Sequence, residues 1–77
     1  MELYVVQKLK EENTIETVAV VILFNKADGC YHFVNLTKGH ICPCAFKTVS
    51  DAIADMESKK VNGEILNYIK YNYLEVC

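Results

Sequence analysis

Polar and apolar positions follow two different periods along this chain. Leu3 to Lys10 reads as a strand, with Leu3, Val5 and Leu9 on one face and Tyr4 and Val6 on the other, as the two-residue period of a strand places them. Glu11-Glu12-Asn13 interrupts it as a turn, and Thr14 to Phe24 reads as a second strand. Within that strand Val18 to Phe24 is apolar without a break, so this strand is expected to be central and covered at least partly on both faces. Asp28-Gly29 suits the two central positions of a type I′ hairpin turn, where φ must be positive. That turn pairs Ala27 with Cys30, Asn25 with His32, Leu23 with Val34 and Val21 with Leu36, and makes Cys30 to Thr37 the third strand. Lys38-Gly39 looks like another tight turn. The extended piece from His40 to Phe46 contains Pro43, which has no N–H and so predicts an edge strand or irregular chain.

The period then lengthens. Val49, Ala52, Ile53 and Met56 recur at helical spacing, with Asp51, Asp55, Glu57 and Ser58 on the wet side. Thr48 with Asp51 three residues later resembles a capping box, Lys59 and Lys60 suit the negative end of the helix dipole, and Asn62-Gly63 supplies a stop. From Glu64 to Val76 the helical period gathers Ile65, Leu66, Ile69, Tyr73 and Val76 on one arc, which predicts a second helix. The expected fold class is α+β: a three- to four-stranded antiparallel β-meander followed by two C-terminal helices, in a single small domain over residues 1–77.

Composition narrows the function classes. With 52% hydrophobic and 23% charged residues the chain is globular, and a formal net charge of −2 has the wrong sign for non-specific binding to nucleic acid. The basic residues are eight scattered lysines with no Arg, which removes the side chain best suited to guanine or phosphate. The seven-residue run Val18 to Phe24 is too short to span a bilayer, which argues against a membrane partner. Glu2 before the first apolar run, with Lys8 and Lys10 after it, is not a secretory pattern, so a cytoplasmic location is expected. Lysine, asparagine and isoleucine usage without Arg points to an AT-rich bacterial or phage genome. In a reducing compartment Cys30, Cys42, Cys44 and Cys77 are free thiols or metal ligands rather than disulfides.

One stretch carries pointed chemistry, His40-Ile41-Cys42-Pro43-Cys44. On a strand, His40, Cys42 and Cys44 project to one face. A tight turn at Lys38-Gly39 sets Leu36 opposite His40, Val34 opposite Cys42 and His32 opposite Cys44. Two histidines and two cysteines then share a face, the ligand set of tetrahedral zinc. Against this, one residue separates the cysteines where structural zinc sites have two or more, and a flat sheet does not converge four groups. Small buried apolar cysteines are the preferred reading, with no metal and no cofactor expected. The same one-residue spacing, upstream of the helix, does not fit a thioredoxin-type redox motif. Asp51 and Asp55 read as a solvated helix face, and no catalytic constellation emerges, so the chain is read as no enzyme. Two short helices cover only one side of an apolar sheet. In the expected pairing the other side presents Ile22, Phe24, Tyr31 and Phe33, with exposed Tyr71 nearby, as a surface for a protein partner or a homodimer. The expected function is that of a small non-enzymatic protein that binds another macromolecule, of regulatory or inhibitor type. The alternative is a small zinc module built on His32, His40, Cys42 and Cys44.

Overall fold

A computed structural model describes residues 2–72, in which five antiparallel strands form one sheet beside a single α-helix. Strand β1 spans Glu2–Lys10, β2 Thr14–Asn25, β3 Cys30–Asn35, β4 His40–Ile41 and β5 Asn67–Asn72, and α1 spans Val49–Val61. The spatial order is β4-β3-β2-β1-β5. The first four strands are a meander, α1 returns the chain across one face, and β5 closes on the free edge of β1.

The expected second C-terminal helix is therefore a strand, and the fold is mostly β with one helix. The helical reading required Ile65, Leu66, Ile69, Tyr73 and Val76 to belong to one element. Instead Ile65 sits in the connection after α1 and enters the core, 5% exposed, while Tyr73 and Val76 lie outside the described residues. A lone β1 edge would leave a row of unpaired N–H and C=O groups. β5 satisfies them through Leu3↔Tyr71, Val5↔Ile69 and Gln7↔Asn67. Tyr68, Ile69 and Tyr71 are residue types that favour such a strand.

Both later turns are longer than the sequence suggested, with different consequences. Asn25 pairs with Cys30, so Lys26 to Gly29 forms a four-residue connection. Gly29 takes the left-handed conformation at φ 70°, its N–H donates to the Asn25 carbonyl at 2.8 Å, and Asp28 Oδ1 accepts from the Cys30 N–H at 2.9 Å. Val21 thus faces Val34 rather than Leu36. A shift of two residues keeps every side chain on its face. After β3, Asn35 pairs with His40 and Val34 with Ile41. That is a slip of one residue from the expected register, and a one-residue slip turns each side chain to the opposite face.

The helix starts and stops where its signals lie. Thr48 Oγ1 accepts from the Asp51 N–H at 3.0 Å, and the chain leaves α1 through Asn62 and left-handed Gly63, φ 88°. Ala52 and Met56 press against Tyr4, Val6, Val18, Val20 and Phe33, and Ile65 completes this core. The segment after β4 adds Phe46, which exchanges two backbone hydrogen bonds with Tyr31 and meets the Phe33 ring edge-on at 5.4 Å. Tyr68 of β5 packs edge-on against Tyr4 at 6.1 Å and donates its hydroxyl to the Glu57 carboxylate on α1. That bond, with burial, pushes its pKa up to about 12. Thr48→Ala removes the cap acceptor and is expected to cost about 1 kcal/mol in thermal or denaturant unfolding; an unchanged midpoint would place the helix start elsewhere.

Candidate functional site

The two faces of the sheet are chemically unlike. On the helix side the strands carry the core, and beyond the reach of α1 they carry charge: Lys8, Lys10 and Glu16 share that face by register. Glu16 binds Lys38 at 2.9 Å and Lys10 at 3.7 Å, and the Lys38 hydrogen bond holds its carboxyl below the ordinary value.

The opposite face has no helix on it. Pairing across all five strands aligns Tyr71, Leu3, Val21, Val34 and Ile41 in one continuous transverse row. A second row joins Ile69, Val5 and Ala19, where the Leu36 N–H also docks on the Ala19 carbonyl at 2.8 Å. A polar row of Asn67, Gln7 and Thr17 separates these from Leu9 and Ile15, which pair beyond it, and Leu23 flanks Val34 at the other end. No strand position on this face is Lys, Asp or Glu. The exposure is large: Ile41 66%, Ile15 56%, Ile69 53%, Tyr71 50%, Leu9 50% and Leu23 42%. At the β4 end the face dips into a shallow depression of about 350 Å³ lined by Leu23, His32, Val34, Ile41 and Pro43.

His32 anchors that corner. Its Nε2 lies 2.7 Å from Asp28 Oδ2 and its Nδ1 3.1 Å from the Cys42 carbonyl. Both neighbours are acceptors, so only the doubly protonated ring can donate to each. The Asp28 hydrogen bond and then the Cys42 carbonyl raise the His32 pKa, against the opposing effect of burial. The same bond lowers that of Asp28. His32 therefore stabilises the fold fully below its ordinary value of 6.5 and loses that contribution as pH rises through its raised folded value. Asp28 contributes above its ordinary 3.8 and loses it as pH falls through its lowered one. Wild-type melting temperature should fall from mildly acidic to mildly alkaline pH, while His32→Gln should be flat across that interval. Parallel profiles for the two proteins would contradict the pairing.

The register also separates the expected zinc ligands. His32 faces the bare side, whereas the slip turns His40 and Cys42 to the helix side, where both line a cleft of about 250 Å³ with Val6, Phe33, Met56 and Lys59. Among the described residues no group of three or more His, Cys, Asp or Glu is placed to hold a metal. Cys30, Cys42 and Cys44 are free thiols, and Cys77 lies outside the described residues. The Cys42 thiol beside Cys44 raises the Cys44 pKa, with burial adding to it. A reactive thiol shows the opposite shift.

The residues expected to dock a partner divide between the faces. Ile22, Phe24, Tyr31 and Phe33 lie on the helix side, not the bare side: Ile22↔Phe33 and Phe24↔Tyr31 are paired rows of that face. Phe33 is buried at 8% exposure, Ile22 packs against the core, and Phe24, 52% exposed, stacks edge-on with Tyr31 at 5.2 Å beyond the helix. Tyr71 alone of the five is on the bare face. Sequence reasoning missed Leu3, Val5, Ile41 and Ile69 as surface residues. One signal was present: the residues of β1 that share the Leu3 face include no charge.

No protein-family model, no curated protein and no solved structure matches this chain. No helix among the described residues is long and apolar enough to cross a membrane.

Proposed function

We propose that this chain is a non-enzymatic protein that acts, in the cytoplasm, by binding another polypeptide through the bare face of its sheet. One observation carries the reading: a sheet face with no Lys, Asp or Glu strand position, on which Val21 is buried at the centre and Ile41, Leu23, Ile69 and Tyr71 stand exposed around it. Each aliphatic side chain left in water forgoes about 1.5–3 kcal/mol available on burial, and contiguous exposed apolar patches of this kind mark interaction sites.

The test compares immobilised wild type with Ile41→Glu on the bare face and Val61→Glu, which sits 85% exposed on the helix. Polypeptides retained from host extract and identified by mass spectrometry should be lost with Ile41→Glu and kept with Val61→Glu. Retention indifferent to Ile41→Glu contradicts the reading.

A further inference from the structure

The bare face rests on the reading above as a binding surface, and we infer that its occupant is a second copy of this chain, packed sheet on sheet in a two-fold dimer. Three observations point to the copy. The first is charge. The strand positions of this face include no Lys, Asp or Glu, and its one charged ring, His32, is 9% exposed and held by Asp28, so the face offers little for a charged partner to read and is matched by its own copy.

The second is area. Five strands about 4.8 Å apart, paired over an average of roughly six residues of about 3.3 Å though β4 pairs through only two, give ~500 Å² per copy. Two copies reach ~1,000 Å², the size at which specific interfaces begin. Among the described elements α1 packs on the opposite face, so the sheet is an outer layer rather than the middle of a sandwich.

The third is shape. Tyr71 and Ile69 stand exposed at the β5 end of the rows, and the depression around Leu23, Ile41 and Pro43 lies at the β4 end. A two-fold axis parallel to the strands sets the β5 end of each copy over the β4 end of the other. Tyr71 then enters the partner's depression, and the reciprocal contact follows from the symmetry. Aligned sheets pack about 10 Å apart in this manner, with side chains interdigitating.

The test is sedimentation velocity on the full chain from low micromolar to sub-millimolar concentration, with Ile41→Glu, Ile69→Glu and Val61→Glu alongside. Wild type and Val61→Glu should sediment with twice the 8.8 kDa chain mass at the upper concentrations. Ile41→Glu and Ile69→Glu, both at exposed sites, should remain at the single-chain mass with unaltered circular dichroism. A single-chain mass for wild type throughout overturns the dimer, as does a dimer that survives either bare-face charge. Those outcomes are separable from failure of the underlying reading, which is decided by whether retention of polypeptides depends on Ile41. If a face variant unfolds, Leu23→Glu supplies the same charge at another exposed position and is read the same way.

Discussion

Tyr4→Ala is expected to lower unfolding free energy by about 3–5 kcal/mol, the range for removing a large buried aromatic. Tyr4 is 1% exposed at the centre of the sheet. It sits in the row Tyr4↔Val20 and Tyr4↔Lys70, with the Tyr68 ring against its edge. Truncation empties the middle of the core and removes the ring through which β5 locks onto β1. A domain of this length is stable by only roughly 4–12 kcal/mol, so the variant should be partly unfolded at physiological temperature. Chemical denaturation followed by circular dichroism measures it. A loss under about 1 kcal/mol would mean that Tyr4 is not at the centre of the packed layer.

Phe33→Ala should cost a similar ~3–5 kcal/mol, and it discriminates between the two sides of the sheet. Phe33 is held by the Phe46 ring and lies under Lys59, whose ammonium is 5.7 Å from its centroid. If Phe33 faced outwards as a docking residue, truncation would spare the isolated chain and weaken only association. With Phe33 in the core, the loss appears as lower stability of the single chain. Combining it with Ile41→Glu, which is expected to hold the chain as a monomer, isolates that effect.

The sequence made the local elements legible and left their sides ambiguous. β1, β2 and the turn at Glu11 to Asn13 follow directly from period and polarity. So does the helix from its Thr48 cap to its Asn62-Gly63 stop, because capping and hydrophobic spacing are short-range. The choice of buried face was not legible. In β1, Lys8 and Lys10 share parity with Tyr4 and Val6, so polarity makes the Leu3 side look like the core. In the fold α1 covers only the end of the hairpin that holds Tyr4, Val6, Val18 and Val20, and the lysines continue past it to solvent. β2 could not arbitrate, because Val18, Val20 and Ile22 alternate with Ala19, Val21 and Leu23.

The zinc cluster failed for a related reason. Lys38-Gly39 marked a turn correctly but not its length. Closing the turn over four residues, with the Asn35 side chain accepting from the Lys38 N–H at 3.0 Å, moved His40 to the other side of the sheet. For β5, the decisive fact was the unfilled edge of β1, a property of the assembled sheet that no local window contains.

The face-to-face arrangement is tested most directly by isotope-filtered nuclear Overhauser spectroscopy on a mixture of labelled and unlabelled chains. Intermolecular contacts are expected between the Tyr71 ring and the Ile41 methyls, with further contacts from Leu23 and Ile69, and none from Ala52 or Met56 under the helix. Intermolecular contacts confined to α1, or none at a concentration where the chain sediments as a dimer, would contradict it.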